Sequence, residues 1–261
     1  MVALFLVLFV LPLVQLLRER RRLGALRRSG APSPVVALTA ADRALLTLVS
    51  QRAPVARLLV ISLVVAYVVA ALFPEQQFDL RFAKINERIA EGELWRLATM
   101  MFVHAGLMHL FFNTSALAEF GRTVENLYGP RRLLAIFFGA GIAGAVSSFI
   151  ATPTPSVGAS GGIFGLIGAL LAFGLRHRPS LPAAARQRFT IQMGLCLAIN
   201  LGLGLLSTFI DNAAHLGGLV GGALIASGLG VSPAVTAMLE RAPSRSDSSE
   251  GADRERADRV S

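Results

Sequence analysis

Apolar runs at about residues 57–74, 100–120, 133–151, 160–175, 190–209 and 213–230 alternate with short polar segments that carry most of the charge. Each run has the length and composition of one helix crossing a bilayer. A further run, Met1 to about Leu17, lies at the short end of that range. No basic stretch precedes it, and Arg18-Glu19-Arg20-Arg21-Arg22 follows where small residues would mark cleavage, so it does not read as a signal peptide. It has no polar face to rest on a membrane surface. The pattern predicts an all-α, polytopic membrane helix bundle: an extra N-terminal transmembrane helix (1–17), a basic linker (18–56), a six-helix core (57–230) and a tail (231–261). Residues 241–261 hold no large apolar side chain except Val260 and read as disordered.

Composition agrees with the pattern. The 261 residues are 54% hydrophobic, with a mean hydropathy of +0.60, beyond what a soluble domain normally carries. A net charge of +9 invites a nucleic-acid reading, but the basic residues fall between apolar runs and form no single patch. No nucleic-acid partner is expected. Of the 25 Lys and Arg, nine lie in 18–57, three in 121–132, four in 175–189 and five after 230, against four in the longer loop 75–99. The connections at 152–157 and 210–212 have none. The positive-inside rule then puts 18–56, 121–132, 175–189 and the C-terminus in the cytoplasm. Loop 75–99, with Phe78, Leu80, Phe82, Ile85 and Ile89 among charges, is outside and is expected in the headgroup region. The single cysteine, Cys196, excludes an internal disulfide and reads as a core residue.

Polar side chains within such runs are costly in lipid and draw attention to chemistry. Ser160 stands among glycines in Gly158-Ala159-Ser160-Gly161-Gly162, opening one run on its outer side. A helix N-terminus there favours an anion, such as the oxyanion of acyl transfer. Close helix packing or a serine N-cap explains the same residues. The nucleophile elbow of soluble hydrolases does not, because it follows a strand. His215, also entering from the outer side, is the matching base, or else a buried histidine bonded to a carbonyl. Glycines at 161, 165 and 168 and at 217, 218, 221 and 222 permit two helices to approach until serine and imidazole meet. Asp211 either orients His215 or, with Asn212, caps its helix. His109 and Asn113, four apart, share a helical face and can donate to an oxyanion, while His104 points elsewhere and holds the entry to that helix. Three histidines suggest zinc, but the spacing is not His-Glu-x-x-His and no carboxylate or cysteine shares the face, so no metal and no other cofactor is expected. His109, Asn113, Ser115, Ser147 and Ser148 are expected on the walls of a polar cavity.

Taken together, Trp95-Arg96, His104-x4-His109-x3-Asn113, Gly121-Arg122-x2-Glu125, Gly158-Ala159-Ser160-Gly161 and Ala214-His215-x2-Gly218 resemble the rhomboid family of intramembrane serine proteases in order and spacing, over roughly residues 57–230. The resemblance implies Ser160 as nucleophile, His215 as general base, and an oxyanion hole formed with His109 and Asn113. It makes Trp95, Arg96 and Glu125 structural. Where some members have a tyrosine four residues after the nucleophile, this chain has Phe164, whose ring still stacks on the histidine. The implied partners are the lipid bilayer and single-span membrane protein substrates, cut near the outer face of the cell (inner) membrane at a small residue. The alternatives are a rhomboid-like scaffold that binds clients without cutting them, and a transporter or channel. A scaffold of that kind lacks the serine or the histidine. A transporter calls for charges deep in the spans, nearly absent here apart from Glu119.

Overall fold

The computed structural model describes residues 51–74, 77–180, 183–206 and 210–240. The expected helix at 1–17, the linker through residue 50 and the tail from 241 lie outside them. Six long helices follow in chain order: α1 (Pro54–Leu72), α2 (Leu107–Tyr128), α3 (Pro130–Ala151), α4 (Ser160–Arg176), α5 (Ala183–Leu206) and α6 (Asn212–Leu229), with a short α7 (Pro233–Glu240) behind them. Among the described residues there is no strand, only an isolated antiparallel bridge between Lys84 and Ser156. An all-α bundle is what the apolar pattern predicts.

Helix ends follow local chemistry. Pro54 and Pro130 open α1 and α3, where a missing N–H is harmless and a fixed φ suits the first turn. Gly129, at φ +92°, turns the chain from α2 into α3. The second apolar run shifts relative to its prediction, 100–120. Residues Met100–Phe102 form a 3-10 turn, Gly106 takes φ +125°, and α2 starts only at Leu107. At its other end α2 continues through Arg122 and Glu125 to Tyr128, because Glu125 has a buried use. Its carboxylate accepts the N–H groups of Val55 (3.2 Å) and Ala56 (2.7 Å) at the start of α1. A negative group there satisfies orphan donors and meets the positive end of the helix dipole. Hydropathy ends the run at the first charges; hydrogen bonding carries the helix two turns further.

Helices α1, α3 and α6 are long and apolar enough to cross a membrane, and α2 joins them if Arg96–Phe102, bent 96° from it, counts as part of one span. The apolar helices Ser160–Arg176 and Thr190–Leu206 are shorter. Helix α4 is central, buried without a break from Gly161 to Leu170, and packs against α6, α3 and α2.

The loop 77–99 folds on itself. Its short helical turns, Phe78–Phe82, Asn86–Ala90 and Arg96–Thr99, are tied by buried Arg96, which donates to Leu80 O (2.8 Å) and Ala83 O (2.9 Å) and pairs with Glu93. Thr99 Oγ1 donates to Phe82 O (3.0 Å). Ile89 faces inward, whereas Leu80 and Trp95 stay exposed.

Candidate active site

Ser160 is the first residue of α4, and the turn that delivers it needs glycine. Gly158 sits at φ +119°, its N–H donates to Met100 O (2.8 Å), and a Cβ there would lie 2.8 Å from the His109 ring. Two obstacles, strain and collision, thus exclude any side chain at 158. His215 lies in the first turn of α6. Its Nε2 is 2.9 Å from Ser160 Oγ, a contact joining residues 55 apart in sequence. The imidazole stacks flat on Phe164, with centroids 4.1 Å apart and planes 6° apart. Its Nδ1 has no hydrogen-bond partner in the protein.

The two helices meet through their backbones. A Cβ on Gly218 would stand 2.1 Å from Gly161 O, one on Gly222 2.1 Å from Gly165 O, and one on Gly168 2.0 Å from Leu219 O. On the α3 side, a Cβ on Gly144 would reach Ala214 O at 2.6 Å. Small residues let membrane helices approach this closely, and the approach brings the serine within reach of the imidazole.

Asp211 is the cap and not a third member beside His215. Its carboxylate accepts from Ala214 N (2.9 Å) and from Ser148 Oγ. Burial alone would raise this carboxyl, but those hydrogen bonds and the charge of Lys84 outweigh it and hold it below its ordinary value. Phe164, not a carboxylate, orients the His215 ring.

His109 is half-buried against Gly158. Ala105 N–H donates to its Nδ1 at 3.3 Å, which leaves the proton on Nε2. Buried His104 packs edge-on to it at 5.2 Å, nearer than the sequence spacing suggests, because the turn at Gly106 brings it back. Asn113 is buried, and its Nδ2 donates to His109 O (2.9 Å) within α2. A cavity of about 1180 Å³ holds Ser160, His215 and His109 on its wall, together with the connections 151–158 and 210–212. The other expected wall residues lie elsewhere: Asn113 and Ser115 are not on it, Ser148 serves Asp211, and Ser147 abuts Gly217. The polar lining comes instead from Thr152, Thr154, Ser156, Asn200, Asp211 and Asn212.

Sequence reasoning passed over Lys84, which is fully buried. Burial lowers its amine from the ordinary lysine value, while the charge of Asp211 works the other way. The available signal was its singularity: of the 25 basic residues it is the one lysine.

A family model described as the Rhomboid domain matches residues 91–232, more than half of the chain and every motif from Trp95 to Gly218. Over 149 residues the chain is 45% identical to Rhomboid protease GluP of Bacillus subtilis (strain 168), covering 57% of this chain and 29% of that protein. It is 36% identical over 142 residues to Putative rhomboid protease YdcA of the same organism, covering 54% and 69%. With Rhomboid-like protease 5 of Toxoplasma gondii it shares 36% over 134 residues, covering 51% and 16%. The chain therefore spans about two thirds of YdcA but less than a third of the other two. Its apolar helices make it a multi-pass membrane protein, and the chain belongs to the rhomboid family.

Proposed function

We propose that the chain is an intramembrane serine endopeptidase that hydrolyses single-span membrane proteins near the outer membrane face, using Ser160 and His215. The observation that carries this reading is the 2.9 Å contact between Ser160 Oγ and His215 Nε2 on the wall of a large cavity. The names of the relatives, proteases all three, support the reaction class.

In the reaction, His215 Nε2 accepts the Ser160 hydroxyl proton as Oγ attacks the scissile carbonyl carbon. The carbonyl π electrons move to oxygen, and the tetrahedral oxyanion forms. Collapse breaks the C–N bond, and His215 returns the proton to the leaving amine. Water, activated by the same imidazole, then hydrolyses the acyl-enzyme. Donors to the oxyanion are the Ser160 N–H, among the first of α4 and so outside the intrahelical ladder, and His109 Nε2–H. Asn113 joins them once its amide turns from His109 O toward the cavity.

Depth follows from helix length. The 17 residues of α4 rise about 25 Å against a hydrocarbon core of about 30 Å. With Arg176 at the cytoplasmic face, Ser160 stops about 5 Å beneath the outer one. Water enters among the polar side chains of 152–156 and 211–212. A substrate helix must unwind to present its carbonyl, since helical hydrogen bonds otherwise shield it. The orientation, C-terminus inside the cell, rests on the distribution of arginines.

The test is cleavage of a panel of tagged single-span proteins alongside labelling by a serine-directed phosphonate. Ser160→Ala is expected to lower turnover by about 10⁴–10⁶-fold, as in soluble serine hydrolases, with His215→Ala similarly damaging. Asn113→Ala is expected to lower it by about 10²-fold. Cleavage by Ser160→Ala at the normal rate would falsify the mechanism. Binding of clients with neither cleavage nor labelling would replace it with the scaffold reading.

A further inference from the structure

We infer that Lys84 is a positioning residue for the reaction proposed above: its buried ammonium ties together the two chain segments that deliver Ser160 and His215. The inference rests on the serine-protease reading and adds a residue outside the family motifs.

Lys84 stands in the outer loop, far in sequence from both residues. Its Nζ donates to Thr152 O and to Thr154 O (3.0 Å). Its backbone pairs with Ser156, Lys84 N–H to Ser156 O at 2.9 Å and Ser156 N–H to Lys84 O at 3.1 Å. Neighbouring Asn86 donates through Nδ2 to Phe149 O (3.0 Å) and Thr152 O (3.3 Å). The carbonyls at the end of α3 have no further helical partners, and a cation suits that end of the dipole. Beyond Ser156 the chain makes its glycine turn at 158 and enters α4 at Ser160. On this side the lysine sets where the nucleophile's helix begins.

On the other side Thr152 is shared. Its carbonyl takes the Lys84 amine, and its hydroxyl reaches the Asp211 carboxylate at 3.5 Å. Asp211 also takes Ser148 Oγ and caps α6 at Ala214 N, one residue before His215. Both catalytic side chains are thus registered to one ammonium. A lysine head is compact, with three rotatable donors, and from its buried position it serves both carbonyls at once.

A residue that only stabilises the fold changes the amount of folded protein and leaves each folded molecule as fast as before. A positioning residue changes the rate per folded molecule. The full chain is therefore compared as wild type, Lys84→Met, Lys84→Gln and, as an exposed control in the same loop, Arg88→Ala. Three quantities are read: phosphonate labelling of Ser160 per folded molecule, kcat and KM on a reporter substrate, and the thermal midpoint. Displacing reacting groups by about 1 Å slows reactions by about 10²-fold, so Lys84→Met is expected to label and turn over roughly 10–100-fold more slowly with KM changed by less than about threefold. Lys84→Gln, retaining an amide donor, falls between it and wild type, and Arg88→Ala matches wild type. If Lys84→Met does not fold, slower labelling by folded Lys84→Gln carries the inference. Labelling at the wild-type rate, or losses only in proportion to folded protein lost, overturns it. Those outcomes leave the protease reading standing. Wild type that fails to label at Ser160 removes both.

Discussion

Helices α4 and α5 are both apolar and glycine-bearing, yet they use glycine in opposite ways. In α4 every glycine from 161 to 168 faces another backbone, and a methyl at 165 or 168 would collide within about 2 Å. In α5, added methyls at Gly194 and Gly202 meet nothing within 4 Å, and Gly204 alone is pressed, against the side chain of Asn212. Helix α5 touches the bundle sparsely; polar attachment to α6 comes through Asn212 Nδ2 to Leu201 O (3.2 Å). The difference separates the helix that carries Ser160 against His215 from one that closes the side of a cavity. Close backbone contact holds Ser160 Oγ and His215 Nε2 2.9 Å apart, a constraint that a loosely packed wall does not supply.

Breaking the tight member of the pair produces the largest effect in this comparison. Gly218→Val puts a branched side chain where Gly161 O stands. The helices must part by more than an ångström, which costs about 1–3 kcal/mol in overpacking and, by misplacing the imidazole, about 10²-fold or more in rate. Thermal midpoint and phosphonate labelling are expected to fall together. A variant with a normal labelling rate would show that the glycine contact does not set the dyad.

The cap of α6 offers a milder test, and its sign follows from the Asp211 carboxyl being held below the ordinary 3.8. A depressed carboxyl stabilises the fold fully above 3.8, and the advantage is lost as pH falls through the lowered value. Asp211→Asn keeps a capping oxygen and removes the charge, so charged hydrogen bonds become neutral ones at a cost of about 1 kcal/mol. Above pH 5 the variant is expected to melt lower than wild type. On acidification the two midpoints converge, since wild type loses what the variant never had. Parallel curves down to pH 2 would show that the carboxylate contributes nothing specific.

Much of this site was legible in the chain because its parts obey local rules. Ser160 after a glycine turn, glycines at helical spacing and His215 after a capping Asp211 each declare themselves within a few residues. The six helices were legible for the same reason, since apolar length is a local property. What escaped depended on contacts across many residues. The extension of α2 past 120 rests on Glu125 meeting the N-terminus of α1, which hydropathy does not register. Lys84 is buried because carbonyls 68 and 70 residues away need donors, and to a hydropathy pattern it is one more loop charge. The expected cavity walls failed similarly: helical spacing puts Ser147 and Ser148 on α3, but only the partners Gly217 and Asp211 decide which way they are used.

The smallest effect belongs to the loose helix and has the opposite sign. Gly202→Ala adds a methyl into open space in the last turns of α5. With no collision, what remains is the backbone freedom that glycine loses on entering a helix, so alanine is expected to stabilise by about 0.5–1 kcal/mol. Labelling of Ser160 should stay at the wild-type rate, since α5 supplies no contact that sets the serine–histidine distance. Thermal midpoint and labelling rate then move independently, whereas at Gly218 they fall together. Slower labelling in Gly202→Ala would mean that α5 also holds the reacting groups in place, and the contrast between the two helices would collapse.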